Sequence, residues 1–194
     1  TKRTHWESVL DSVDYVFHLA ATEYSVERDS YEDLNVNALS VLHLLETCRE
    51  KNIKPKIIFS SSSNIFGNID KSKNPVNETY RDDPPAVWSV HRLMAENYLR
   101  VFYRKYGINS VVLRLSNVYG VVPKGSVINR MVINKVIKMG ITNKEIKVFE
   151  NKDCLRDYVN VEDVVNAFLL AGDIDDNLCD CGFYVIGGGE TKSI

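Results

Sequence analysis

Short apolar runs alternate along this chain with longer segments of helical spacing. Asp14-Tyr15-Val16-Phe17-His18-Leu19-Ala20-Ala21 is a compact apolar run closed by small residues, the pattern of a strand buried on both faces of a parallel sheet. From about Tyr31 to Lys51, Leu34, Ala38, Val41, Leu45 and Cys48 step by four and three, which lines one face of a helix. Pro55 breaks the chain, and Lys56-Ile57-Ile58-Phe59-Ser60 reads as a second buried strand running into Ser60 to Ser63. The polar stretch from Asn68 to Pro85 has no periodic apolar face and predicts a loop. The helix after Pro84-Pro85 carries Leu93, Met94, Leu99, Val101 and Phe102 to about Tyr106, with Gly107 as its C-cap.

Ser110 to Leu115 predicts a third strand, Ser116 to Gly125 a loop and Val127 to Met139 a helix. Two extended pieces, Ile146 to Phe149 and Asp157 to Val159, precede a helix from about Val161 to Ala171 and a last strand, Phe183 to Ile186, ending in Gly187-Gly188-Gly189. This alternation is that of an α/β fold with a parallel sheet and right-handed crossovers. Ligands of such sheets sit beyond the carboxyl ends of the strands. That rule selects His18 to Ala21, Ser60 to Ser63 and Ser116-Asn117-Val118-Tyr119-Gly120 as one convergent rim.

Composition narrows the function. The 194 residues carry 24 Lys+Arg against 26 Asp+Glu and are 44% hydrophobic, which excludes disorder, collagen and a coiled coil. The net charge of -2, with no basic run, gives no footprint for nucleic acid or an anionic membrane. Of Cys48, Cys154, Cys179 and Cys181, only the last two are close, and one intervening residue is too few for a redox or zinc knuckle. No metal site is expected, and the cysteine usage suits a reduced, cytoplasmic protein. No run approaches the ~20 apolar residues of a membrane span, and Thr1 to Trp6 lacks the apolar run of a signal peptide.

His18-Leu19-Ala20-Ala21, Asn35-Val36-Asn37, Phe59-Ser60-Ser61-Ser62-Ser63-Asn64-Ile65-Phe66-Gly67, Arg114-Leu115-Ser116-Asn117-Val118-Tyr119-Gly120 and Arg156-Asp157-Tyr158-Val159 resemble, in order, the motifs of the extended short-chain dehydrogenase/reductases. Within that group the chain is most similar to nucleotide-sugar epimerases and dehydratases of the UDP-glucose 4-epimerase type, from Asp14 to Ile194. The resemblance implies a Rossmann-like NAD-binding domain, partial over residues 1–115. It also implies a small C-terminal substrate lobe drawn mainly from 116–194, with elements returning to the sheet. Hydride would pass from a nucleoside diphosphate sugar to NAD and back. Many members form a homodimer through two helices per subunit, which correspond here to Tyr31–Lys51 and Val87–Tyr106.

Two departures stand out. The family opens with a Gly-x-x-Gly-x-x-Gly loop that holds the pyrophosphate at a helix N-terminus, and this chain has none, so it is expected to lack the first strands before Asp14 and a tail after Ile194. The family's catalytic Tyr-x-x-x-Lys helix aligns with Trp88 and Arg92. A phenol can be tuned to exchange protons near neutral pH; an indole N–H only donates a hydrogen bond, and a guanidinium stays charged. One helical turn apart, the two side chains can form a cation–π contact.

The resemblance implies roles for the rim. His18, Leu19, Ala20, Ala21, Asn37 and Ser60 would meet NAD, with Arg92 placing charge near the nicotinamide ribose. Ser62 matches the serine that hydrogen-bonds the reacting sugar oxygen, against a turn serine satisfying backbone groups. Trp88 would pack as a lid or stack on substrate. His91, with a histidine's titration range, is the substitute proton carrier at the catalytic positions Ser62, Trp88 and Arg92, against a solvent-facing helix histidine; Tyr80 is a weaker substitute. Asn117 and Arg156 would hold the diphosphate, and Val127 and Phe149 would line the base pocket or the lobe's core. Glu23 stands where some relatives carry a lysine. An epimerase or dehydratase, a sugar-nucleotide binding protein without turnover, and a reductase recruiting His91 or water all remain open.

Overall fold

A computed structural model of the chain describes residues 3–22, 29–121, 132–143, 145, 155–175 and 181–193. In chain order the elements are α1 (Arg3–Val9), β1 (Tyr15–His18), α2 (Ser30–Leu34), α3 (Ser40–Lys51), β2 (Lys56–Ser62), α4 (Val87–Tyr106), β3 (Ser110–Leu115), β4 (Asn117–Tyr119), α5 (Val132–Ile141), β5 (Leu155–Asn160), α6 (Val161–Asp173), β6 (Phe183–Ile186) and β7 (Thr191–Ser193). A π-helical turn, Asn35–Leu39, joins α2 to α3, so the helix predicted from Tyr31 to Lys51 is present but locally widened.

β1, β2, β3 and β6 form one sheet in that spatial order, and every pairing is parallel. Side chains alternate across it. Phe59 and Val112 join Val41, Leu45, Ala95 and Leu99 in a core under α3 and α4, whereas Ile58, Val111 and Leu113 pack with Val164, Phe168 and Ala171 of α6 on the opposite face. Helices thus cover both faces, the three-layer solution that parallel crossovers impose. A second sheet, β4-β5-β7, has β5 parallel to β4 and antiparallel to β7.

Helix ends follow the polar residues at them. Asp29 accepts the Tyr31 N–H at 2.9 Å at the start of α2, and Asn160 accepts the Glu162 N–H at 2.9 Å at the start of α6, satisfying donors that a helix leaves open. Gly107 closes α4 at φ +64, its N–H reaching the Tyr103 carbonyl at 2.8 Å. The last carbonyls of α6 are met from outside the helix: Lys56, buried at the start of β2, donates to the Gly172 carbonyl at 3.0 Å and to that of Ile174. Its charge also faces the negative end of the helix dipole.

Several expectations change. The first strand is not buried on both faces: Tyr15 is 50% and Phe17 44% exposed, because β1 is the edge strand of the described sheet and only one of its sides pairs. β2 continues two residues beyond Ser60, to Ser62, drawn on by its pairing with β3, in which Ser62 faces Leu115. Val101 lies on the outer side of α4 and is exposed rather than core. α1, β4 and β7 were not foreseen, being too short for a periodic signal. The helix predicted from Val127 appears as Val132–Ile141; its first residues and the extended piece Ile146 to Phe149 lie outside the described residues. Cys48 and Cys181 are buried thiols, with Cys181 Sγ 3.0 Å from Ser110 Oγ, and Cys154 and Cys179 fall outside the described residues.

Replacing Lys56 with Met keeps the apolar stem and removes the donor, stranding both carbonyls. The expected cost is about 1–3 kcal/mol of stability, read as a lower urea midpoint at unchanged slope.

Candidate active site

The parallel register brings the three strand exits to one edge. His18 lies opposite Phe59, and Ser62 opposite Leu115, so Ala20, Ser62 and Asn117 emerge from neighbouring strands at the same end. Beyond β2 and β3 lies a cleft of about 950 Å³ whose walls include Asn64, Asn117, Arg156 and Asp157. Gly187, which directly follows β6, also lines it. A Cβ on Gly187 would fall 2.0 Å from Asp157 Oδ2, and one on Gly188 would fall 2.2 Å from the Tyr158 carbonyl. The glycine cluster is therefore where the exit of β6 passes against β5, held by the Gly188 N–H donating to Asp157 Oδ1 at 2.9 Å.

A buried charge network anchors this edge. Arg114, fully buried in β3, donates from Nη2 to Glu96 Oε2 at 2.6 Å and from Nε to both Glu96 oxygens at 3.1 and 3.2 Å. Its Nη1 meets Asp82 Oδ1 at 2.6 Å, and the guanidinium lies 3.7 Å from the centroid of the Phe183 ring and 4.8 Å from that of Phe66. Ser61, beside Arg114 in the register, donates to Glu96 Oε1 at 2.5 Å. Burial alone would weaken the Arg114 charge; Glu96 and Asp82 outweigh it and raise its pKa. Ser61 is thereby committed to the fold. Ser62, of opposite strand parity, is half-buried, and its Oγ accepts the Asn64 N–H at 3.2 Å, capping the turn Ser63–Phe66. The hydroxyl proton remains available to donate.

Trp88 and Arg92 are tied to backbone. Trp88 Nε1 donates to the Thr22 carbonyl at 2.7 Å, and Arg92 Nη1 to the Ser60 carbonyl at 2.8 Å. The expected cation–π contact is present, with the Arg92 guanidinium 5.6 Å from the Trp88 ring centroid and 5.5 Å from that of Phe59. Burial lowers the Arg92 pKa to about 10 against the pull of Glu96, so it stays a cation at neutral pH. Its Nε–H is buried without a hydrogen-bond partner.

His18 points into the helical layer, not the cleft. It is buried, stacked on Trp6 at 6.0 Å, and its Nε2 pairs with Ser40 Oγ at 3.1 Å. Ser40 in turn donates to the Val36 carbonyl at 2.6 Å, so His18 supplies the proton of its contact and is neutral. Burial first, and the Arg92 charge second, push its pKa to about 4. Asn37 spends its amide on Thr22, accepting the N–H at 3.1 Å and donating to Oγ1 at 2.6 Å. Leu19, Ala20 and Ala21 are exposed.

His91 is half-buried on α4, close enough to Asp33 of α2 to feel its charge, with its pKa lowered by burial against the opposing pull of Asp33. It does not line the cleft, and its Nδ1 has no hydrogen-bond partner. Tyr80 is held in its loop, its hydroxyl accepting the Asp70 N–H at 3.4 Å and its ring edge-on to Phe66. Asn117 donates to the Asp157 carbonyl at 2.9 Å. Arg156 is exposed on the cleft wall, donating to the Leu155 carbonyl at 3.1 Å; among the described residues it forms no ion pair with Asp157. Val127, Phe149 and Glu23 lie outside the described residues. Sequence reasoning missed the Glu96–Arg114 pair and Thr22. An arginine inside the apolar run Val111-Val112-Leu113-Arg114-Leu115 was the available signal for the pair, since such a charge must find a partner.

Comparisons with known proteins agree with this fold. The NAD dependent epimerase/dehydratase family matches residues 1–187. A putative UDP-glucose 4-epimerase of Methanocaldococcus jannaschii is 32% identical over 189 residues, covering 94% of this chain and 58% of that protein. The dTDP-D-glucose 4,6-dehydratase of Dictyostelium discoideum is 26% identical over 169 residues, covering 81% and 38%. Among solved structures, the UDP-glucose 4-epimerase of Thermotoga maritima with UDP-glucose superposes at a TM-score of 0.84 and 32% identity, over 99% of this chain and 62% of that one. The UDP-glucuronic acid 4-epimerase of Bacillus cereus in complex with NAD gives 0.84 at 26% identity, over 100% and 60%. The chain belongs to the NAD-dependent epimerase/dehydratase family, with a Rossmann-like α/β fold. It spans little more than half the length of these structural relatives.

Two outcomes are expected from the buried groups. Glu96→Gln leaves the Arg114 cation with Asp82 alone and should cost about 3 kcal/mol by chemical denaturation, more than Asp82→Asn at its partly exposed position. For His18, the unfolded chain takes up a proton below about pH 6.5, whereas the folded protein refuses it until about pH 4. Stability should therefore fall as pH drops through that window, by up to about 3 kcal/mol, and level off below it. His18→Gln should flatten the profile, and Arg92→Gln should raise the His18 midpoint seen by NMR.

Proposed function

We propose that the protein is an NAD-dependent nucleotide-sugar epimerase or dehydratase that acts on a nucleoside diphosphate sugar. The observation that carries this reading is the convergence of three strand exits, with Asn117 and Arg156 on one cleft, in a chain of this family. The boundary between the Rossmann part and the substrate lobe falls after Leu115, where the second sheet begins. No helix among the described residues is long and apolar enough to cross a membrane, and we place the protein in the cytoplasm. A homodimer through α2–α3 and α4 accounts for the exposed Tyr31, Val87 and Val90.

The residues present fit the cofactor. Leu19, Ala20 and Ala21 offer an exposed strand exit whose two alanines permit close backbone approach, and the Arg92 cation, its Nε–H unpartnered, lies near enough to act on His18 at the start of that exit. When bound, NAD supplies a reversible hydride acceptor. Arg156 has the paired donors to grip a diphosphate, and Asn117 keeps a second amide hydrogen for it. Ser62, whose oxygen already accepts a backbone N–H, turns its hydroxyl proton toward the sugar oxygen. Trp88 and Arg92 orient the strand exits and carry no proton.

That last point favours a second reading. With the indole N–H and the guanidinium both spent on carbonyls, and with His91 off the cleft, the site is also built for binding without turnover.

Incubating the full-length protein with UDP- and dTDP-sugars, and following new sugars and nicotinamide absorbance, separates the two. Slow turnover is expected, rising by about 10²-fold or more in the double variant Trp88→Tyr, Arg92→Lys, the scale of one proton-transfer group. Arg156→Met should weaken nucleotide-sugar binding by at least about tenfold. No binding of any nucleotide sugar would defeat both readings; tight binding with no turnover would select the second.

A further inference from the structure

The segment leaving β1 is fastened at both ends while its middle is open. Upstream, His18 is held through Nε2 by Ser40 at 3.1 Å. Downstream, every polar group of Thr22 is engaged: its N–H by Asn37 Oδ1 at 3.1 Å, its Oγ1 by Asn37 Nδ2 at 2.6 Å, and its carbonyl by Trp88 Nε1 at 2.7 Å. Thr22 is 6% exposed and Asn37 fully buried, whereas Leu19 is 59% exposed and both alanines are open to solvent.

The fastening has a structural origin. Asn37 lies within the π-helical turn Asn35–Leu39, and Ser40 directly follows it. A π turn carries one residue more than an α turn and is frequent at functional sites. Here it turns Asn37 and Ser40 inward together, one toward each end of the strand exit. On the other side α4 contributes Trp88, and one turn later Arg92 fixes the neighbouring exit of β2 at the Ser60 carbonyl at 2.8 Å.

We propose that Thr22 is a positioning residue: gripped by Asn37 and Trp88, it holds Leu19-Ala20-Ala21 in the shape that receives the dinucleotide, and both grips act on that ligand through Thr22 rather than by contact. This rests on the functional reading above. It changes what the chemistry of Trp88 is for, since a side chain that cannot move a proton supplies a donor to the backbone instead. It also moves Asn37 from the ligand's surface to the layer behind it. A platform fixed in advance binds more tightly because less is ordered on binding.

The test measures NAD and UDP affinities of the full-length protein by calorimetry, with Thr22 amide exchange followed by NMR without ligand. Trp88→Phe keeps the ring and removes the donor; Asn37→Ala removes the other grip. Each should weaken NAD binding by about three- to tenfold, the scale of one or two hydrogen bonds, and speed Thr22 exchange. UDP, held at the Arg156 end, should bind as in the wild type. Unchanged NAD affinity in Trp88→Phe, or NAD and UDP affinities falling together, would overturn the positioning role. A wild type that binds UDP but no NAD would instead overturn the functional reading beneath it. If Asn37→Ala fails to fold, Trp88→Phe alone decides.

Discussion

The Arg114–Glu96 ion pair is the constraint on which the working edge of the sheet depends. A guanidinium and a carboxylate with almost no solvent access are tolerable only when each is fully hydrogen-bonded, because the cost of removing them from water is recovered through geometry. Here that requirement recruits four separate parts of the chain. Glu96 comes from α4, Arg114 from β3, Ser61 from β2 and Asp82 from the polar loop, with Phe66 and Phe183 closing over the guanidinium. Since α4 also carries Trp88 and Arg92, the position of the whole helix along the strand exits is set by a pair one turn further on.

Much of the architecture was legible from hydrophobic spacing. β3, β6, α4 and α6 each carry enough apolar residues at a single period to declare their type, and the alternation of types left little choice of topology. What was illegible has physical causes. β4 and β7 are three residues each and owe their conformation to partners distant in sequence. The edge position of β1 is a property of the sheet, invisible in an apolar run that looks the same in the centre. The π turn rests on where Asn37 and Ser40 find partners, which no local propensity encodes.

The site was legible in outline, through motifs rather than chemistry. Asn117 and Arg156 reach a common cleft, and Trp88 touches Arg92, as their positions suggested. His18 and Asn37 illustrate the limit of motif reasoning. Both sit in segments that face the strand exits, yet their side chains turn to the interior because strand parity in one case, and an extra residue in a helical turn in the other, decide direction. His91 has the right titration range and the wrong neighbours, with Asp33 as the charge it feels.

The wide turn at Asn35–Leu39 has a consequence for how this chain can change. It carries one residue more than an ordinary turn, so deleting a single residue there would restore regular winding and leave the helix on either side in phase. Removing one within the α-helical stretch Ser40–Lys51 would instead swing the two sides by about 100° relative to each other. The turn therefore acts as a length adjuster: the helix can lose a residue here and keep Val41 and Leu45 in the core, at the expense of the inward reach of Asn37 and Ser40.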